Sequence, residues 1–150
     1  MKLSDLIAQF ITEQLTGQDA VELQRSQLAS RFGCAPSQIN YVIETRFTPE
    51  HGYLVESQRG GGGYIRIVRL MDDKQRTLLE AARGVGGRLT QNDAARLTRA
   101  LVSADLLSPR EGQLLLSACS DGALAEVAKE HRDRLRASIF RCAVMGIATT

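Results

Sequence analysis

The sequence predicts a mainly α-helical chain with two parts. Residues 1–71 read as a winged helix-turn-helix, three helices plus a β-hairpin, and residues 72–150 as an all-α domain of about four helices. Three observations predict this. The stretch QRSQLASRFGCAPSQINYVIETR, residues 24–46, has the spacing of a helix-turn-helix. Two strand-like arms flank four consecutive glycines at 60–63. Beyond residue 72, apolar residues recur at helical spacing only.

The first element is a helix over residues 3–15, with Leu6, Ile7, Phe10, Ile11 and Leu15 as its apolar face and Ser4 and Asp5 as cap candidates. The break at Thr16-Gly17-Gln18 ends it. In the helix-turn-helix, Leu28, Ala29 and Phe32 share one face of a short helix. Gly33 stands where the chain must leave that helix, a conformation with positive φ that is cheap only for glycine. Cys34 plugs the gap under the turn, and Ala29 is small because two helices cross there. Pro36 and Ser37 open a second helix that buries Ile39, Val42 and Ile43. A hairpin follows. Tyr53, Leu54 and Val55 lie on one arm; on the other, Ile65, Ile67 and Arg69 share a face opposite Tyr64, Arg66 and Val68. A hairpin placed directly after a helix-turn-helix is a wing.

In the second part, helices are expected over 73–83 (Leu78, Leu79 and Ala82 buried), 90–104 (Ala94, Leu97, Leu101 and Val102 inward), from Ser108 (Leu114, Leu115 and Ala118), and over 123–145. Ser108-Pro109-Arg110-Glu111 is a capping box with proline in the first helical position. On the last helix Leu124, Val127, His131, Leu135, Ile139 and Cys142 follow a three-four spacing, with Lys129, Arg132, Arg134 and Arg136 outward. Four short helices make a thin core, so a homodimer held by this part is expected.

Bulk properties narrow the function. The chain has 150 residues, 43% hydrophobic, and no run of 18 apolar residues, so a folded core and no membrane span are expected. The start lacks a signal-peptide pattern, and the cytoplasm is the expected location. Aromatics are only 5%, without tryptophan, which argues against carbohydrate sites and single-strand stacking platforms. Cys34, Cys119 and Cys142 are scattered and far from paired histidines, so neither metal nor other cofactor is expected. No H-E-x-x-H, nucleophile elbow or phosphate-loop pattern occurs, so no enzyme is expected. The net charge is +2, but residues 24–70 carry six arginines against three glutamates. Such local basicity suits placed contacts to DNA rather than a general positive field.

The candidate DNA-binding residues follow from these placements. On the second helix of the motif, Ser37, Gln38, Asn40, Tyr41 and Glu44 face outward; Asn40 and Gln38 are the base-reading candidates, since an amide pairs bidentately with adenine. Tyr41 suits a phosphate or a thymine methyl. Ser26 and Gln27 open the preceding helix, where backbone N–H groups meet phosphate. Arg25, Arg31 and Arg46 are phosphate clamps or surface charges. At the wing, Arg59 stands beside Gly60, Gly61, Gly62 and Gly63, followed by Tyr64 and Arg66. Glycines let backbone press against DNA, and an arginine entering a narrow A·T-rich minor groove meets an enhanced negative potential. Four glycines also lose much backbone entropy on ordering, so the wing is a candidate thermosensor. The competing reading is a winged-helix protein-interaction module without specific DNA readout. A ligand-gated regulator finds no polar cluster in the helical part; His131 reads as a core or interface histidine.

The wing tip Arg59-Gly60-Gly61-Gly62-Gly63-Tyr64-Ile65-Arg66, together with Gln27-Leu28-Ala29-Ser30-Arg31-Phe32 and Pro36-Ser37-Gln38-Ile39-Asn40-Tyr41-Val42-Ile43, resembles the CtsR family over the entire chain. The resemblance implies a dimeric repressor of class III stress genes that binds tandem heptanucleotide repeats over promoters of Clp chaperone and protease genes and leaves DNA on heating. It also implies three partners: the protein-arginine kinase McsB, its activator McsA and the ClpC chaperone. Arginine phosphorylation, with Arg59 as a candidate, would then oppose docking to phosphates. A symmetric dimer on direct repeats implies rotation at a linker near Leu70 to Lys74.

Overall fold

In the computed structural model, which describes residues 1–58 and 63–150, the chain divides into two units, Met1–Leu70 and Met71–Thr150. Helix α1 (Leu3–Leu15) buries Ile7, Ile11 and Leu15, whereas Leu6, expected on that face, is exposed. Its N-cap is Lys2 rather than Ser4 or Asp5. Asp5 instead sits one turn in, where its carboxylate accepts the Lys2 backbone N–H at 3.3 Å. The same carboxylate receives Arg46 Nη2 at 2.6 Å, which also reaches Ser4 Oγ at 3.2 Å. The bond from Arg46 holds the Asp5 carboxyl below its ordinary value.

After α1 comes an element the sequence did not announce, strand β1 (Ala20–Gln24). It runs without an intervening residue into α2 (Arg25–Phe32), followed by α3 (Pro36–Arg46) and a single 3₁₀ turn (Pro49–His51). Strands β2 (Tyr53–Gln58) and β3 (Tyr64–Arg69) are the arms of the hairpin. The antiparallel sheet has the order β1-β3-β2, so β3 is central. Ile65 and Ile67 join the core formed with Ile7, Ile11, Leu28, Ile39, Val42 and Phe47. The other side of β3 is also buried, at Val68 and Arg66.

In the second unit, α4 (Lys74–Arg83) starts at Asp73, whose carboxylate accepts the Arg76 N–H at 3.2 Å. Helix α5 (Gln91–Ser103) starts at Thr90, whose hydroxyl accepts the Asp93 N–H at 3.1 Å. Helix α6 (Pro109–Ala118) carries the expected capping box. Ser108 Oγ accepts the Glu111 N–H at 3.1 Å, and the Glu111 carboxylate accepts the Ser108 N–H at 2.8 Å. Leu115 is buried on α6, but Leu114 and Ala118 are exposed. Gly112 takes the inward position instead: a Cβ there would lie 2.6 Å from Val102 Cγ2 of α5. The absent side chain lets the two helices approach closely.

Helix α7 departs most from expectation. It begins at Lys129, not near 123, and ends at Ala148. Its buried face is Arg136, Ala137, Phe140 and Val144; His131, Leu135 and Cys142 are exposed and Ile139 half-buried. The helix carries apolar residues on two faces, and periodicity alone does not say which one packs within the unit. What decides is Arg136, 1% exposed. Its Nε donates to the Cys119 carbonyl at 2.6 Å, its Nη1 to the Leu89 carbonyl at 3.0 Å and to Asp133 Oδ1 at 2.7 Å, and its Nη2 to Asp121 Oδ1. One guanidinium thus closes the segments before α5 and after α6 onto α7.

Replacing it exposes that dependence. Arg136→Ala strands two carbonyls in the interior, and removing one member of a buried ion pair costs about 3–5 kcal/mol. The half-exposed carboxylates place the loss at the lower end of that range. Urea unfolding of the full chain should show it; an unchanged midpoint would contradict this role for Arg136.

Candidate nucleic-acid interface

The helix-turn-helix is built as its sequence suggests. Gly33 adopts φ 62° and ψ 39°, ending α2. The next amide, Cys34 N–H, donates to the Ala29 carbonyl at 3.0 Å and closes the turn. Ala29 is buried at the crossing of α2 and α3, and the Cys34 side chain packs against the core. With Pro36 in its first turn, α3 buries Ile39, Val42 and Ile43. Its opposite face presents Ser37, Gln38 and Tyr41, all exposed, with Tyr41 at 60%. Ser26 and Gln27 are exposed at the start of α2. These five residues are the exposed positions at the start of α2 and on the outer face of α3.

Asn40 and Arg25 are placed differently from the other candidates. Both are half-buried. Arg25 Nε donates to Asn40 Oδ1 at 2.7 Å, and Arg25 Nη1 donates to the Gly63 carbonyl at 3.2 Å. The Arg25 backbone N–H reaches the same carbonyl, also at 3.2 Å. Burial pulls the pKa of this guanidinium down, and the charge of Glu44 opposes the shift. It remains a cation. One lone pair of Asn40 Oδ1 is occupied by Arg25. The other, and the amide NH₂, keep the donor-acceptor pair that an adenine edge needs.

The remaining arginines sort by partner. Arg31 stacks 4.3 Å from the centroid of Phe10, whose ring meets Phe32 edge-on at 5.7 Å. Arg46 is bound to Asp5. Arg66, expected on the DNA side, is 7% exposed and donates from Nη1 to Glu56 Oε1 at 3.0 Å, with Glu22 Oε1 3.9 Å from its Nε. The three lie on one row of the sheet, Glu22 opposite Arg66 opposite Glu56. The reason is cross-strand pairing of opposite charges on a buried face. The hairpin offers a signal for it: pairing outward from Gly61 sets Glu56 against Arg66. Tyr64, at the foot of the wing, is 38% exposed. Gly63 holds φ +79°, which favours glycine. Arg59, Gly60, Gly61 and Gly62 lie outside the described residues.

Among the described residues no cluster of three metal-ligating side chains occurs, and no helix is long and apolar enough to cross a membrane.

Comparison with known proteins agrees with this architecture. Residues 2–71 match the model of the CtsR N-terminal HTH domain, and residues 73–145 that of the CtsR C-terminal dimerization domain. The transcriptional regulator CtsR of Geobacillus stearothermophilus is 40% identical over 142 residues, covering 93% of this chain and 92% of that protein. Its counterpart from Lactiplantibacillus plantarum is 44% identical over 141 residues, covering 92% and 90%. That of Bacillus subtilis is 37% identical over 142 residues, covering 93% and 92%. A crystal structure of CtsR in complex with a 26bp DNA duplex is 38% identical, covers 98% of this chain and 99% of its own, and superposes with a TM-score of 0.48. Matched by both domain families across nearly its full length, the chain belongs to the CtsR family.

Proposed function

We propose that the chain is a sequence-specific DNA-binding repressor that acts as a homodimer on tandem heptanucleotide repeats over Clp chaperone and protease genes. The observation that carries this reading is the exposure of Ser26, Gln27, Ser37, Gln38 and Tyr41 on the two helices of the motif, in a chain whose following hairpin carries the sequence Arg59-Gly60-Gly61-Gly62-Gly63. The relatives are transcriptional regulators, and no catalytic role is assigned. The recognition helix α3 enters the major groove, with Gln38 and Asn40 reading bases and Tyr41 on a phosphate or a thymine methyl. Arg59 enters the adjacent minor groove. Arg66, held by Glu56, is not part of this surface.

On heating, the wing lets go. Docking four glycines orders the most flexible backbone available, and the entropic cost grows with temperature. Release is reinforced by the arginine kinase McsB with McsA, since phosphate on Arg59 reverses its charge, and the released repressor goes to ClpC. The cytoplasm is the place of action.

Dimerisation uses the second apolar face of α7. Leu135 is 41% and Met145 45% exposed, with Cys142 exposed and Ile139 half-buried between them. A second copy covering this stripe accounts for apolar residues that the unit itself leaves open.

Three measurements follow. Fluorescence anisotropy should show a duplex with tandem heptad repeats binding at least ~10³-fold more tightly than a scrambled duplex at the same salt. Equal, weak binding to both would favour the protein-interaction module. Gly62→Ala should flatten the temperature dependence of operator affinity, and an unaltered profile would remove the thermosensor role. Leu135→Asp should convert dimer to monomer in sedimentation equilibrium while α-helical content is retained; a persistent dimer would place the interface elsewhere.

A further inference from the structure

The Arg25 guanidinium occupies an unusual position. It spans two elements distant in sequence, Asn40 on α3, 15 residues away, and Gly63 at the foot of the wing, 38 residues away. It does so with donors that point to different sides of one planar group: Nε to Asn40 Oδ1 at 2.7 Å and Nη1 to the Gly63 carbonyl at 3.2 Å. The Arg25 main chain is anchored to the same carbonyl. Gly63 holds a φ of +79° at this point, a conformation that favours glycine. A fork of fixed geometry transmits position between its two acceptors, whereas a lysine ammonium on a flexible stem does not. The half-buried setting strengthens both bonds relative to water.

We propose that Arg25 is a positioning residue that ties base readout by α3 to placement of the wing: one guanidinium holds the Asn40 amide and the Gly63 carbonyl in a single geometry, so that the helix-side and wing-side contacts to DNA are made together. This deepens, and rests on, the reading of the chain as a specific DNA binder. A simple phosphate clamp needs charge and reach, and no acceptors on two separate elements. In the strut, Arg25 also selects the amide rotamer of Asn40, since only Oδ1 can accept from Nε. The free lone pair and the NH₂ are thereby aimed as one unit at an adenine edge.

The consequence is energetic coupling within the duplex. Where two contacts share a rigid element, losing one weakens the other, and the penalty of a double change falls short of the product of the single ones. The experiment uses the full chain and heptad-repeat duplexes with base pairs changed one at a time, read by anisotropy. The helix-side pair is the one whose penalty disappears in Asn40→Ala, and the wing-side pair the one whose penalty disappears in Arg59→Ala. In the unaltered chain, changing both pairs should cost less than the product of the two single losses. In Arg25→Lys, which keeps the charge and removes the fork, the two losses should multiply, and discrimination at the helix-side pair should fall at least ~5-fold. The slope of log affinity against log salt should stay within about 0.9 of its starting value, because the charge is retained.

Arg25→Lys with full discrimination and coupling intact would overturn the strut and leave Arg25 a charge. So would independent losses in the unaltered chain. If Arg25→Lys does not fold by circular dichroism, Asn40→Ala carries the test. It removes the acceptor on α3 and should also lower discrimination at the wing-side pair by several-fold; undiminished wing-side discrimination would overturn the proposal. A chain that binds scrambled and heptad duplexes equally well would refute the specific-binder reading itself, and the strut with it, whereas specific binding without coupling refutes the strut alone.

Discussion

Strand β1 passes into helix α2 with no residue between them, Gln24 ending one and Arg25 beginning the other. That junction constrains the whole N-terminal unit. Because β1 pairs with the central strand β3, from Ala20 opposite Val68 to Gln24 opposite Tyr64, the first turn of α2 stands beside the foot of the wing. The Arg25 N–H accordingly finds its acceptor on Gly63, which satisfies one of the donors that a helix start leaves open. Helix α3 is then located by α2 through the Gly33 turn and the Ala29 crossing. The foot of the wing and α3 are therefore both referred to one strand, and their spacing is a property of the sheet.

Each unit closes around one buried arginine, and the two use their cation differently. Arg66 sits within a sheet between carboxylates on neighbouring strands, so its partners arrive with the strand register. Arg136 sits on a helix and gathers two carbonyls and two carboxylates from segments that have no regular pairing of their own. A buried ion pair seldom adds net stability over an apolar substitute, because desolvation offsets the attraction. What such a group does supply is an orientation requirement. Only one rotation of α7 about its axis carries the Arg136 donors to these acceptors, and that same rotation leaves Leu135 and Met145 outward.

The parts that were legible from sequence are those written in local chemistry. Gly33, Pro36 and the inward trio Ile39, Val42 and Ile43 fix the helix-turn-helix within 11 residues, and Ser108 with Glu111 fixes the start of α6 within four. Strand β1 was not legible because only Val21 and Leu23 mark its core side, and no turn residue separates it from α2. The register of α7 was not legible because apolar residues occupy two faces, and the residue that chooses between them is charged. The internal partners of the arginines are not legible for a related reason. From sequence an arginine beside a DNA-binding motif reads as a contact to phosphate or a surface charge, but the acceptors that hold Arg25, Arg46 and Arg66 lie 10 or more positions away. The exposure of Ser37, Gln38 and Tyr41 is legible, since helical spacing alone determines which side is left once Ile39, Val42 and Ile43 are buried, whereas the half-burial of Asn40 under Arg25 is not.

Those internal commitments alter how the charge of the chain must work. The formal net charge is +2, and within the DNA-binding unit Arg25, Arg46 and Arg66 already answer to partners inside the protein. Few arginines are left to build the broad positive field that gives non-specific binders their affinity, which depends on the number of phosphates neutralised. A repressor so constructed gains affinity from geometry: contacts on α3 and at the foot of the wing, whose relative positions are held before the DNA arrives. Fixing them in advance lowers the entropy lost on binding. It also penalises a wrong site more heavily, since contacts held on one scaffold cannot adjust separately to a mismatched base pair. Restraint of the surface charge and a held spacing between α3 and the foot of the wing thus work in the same direction: both favour placed contacts over a general attraction to phosphate.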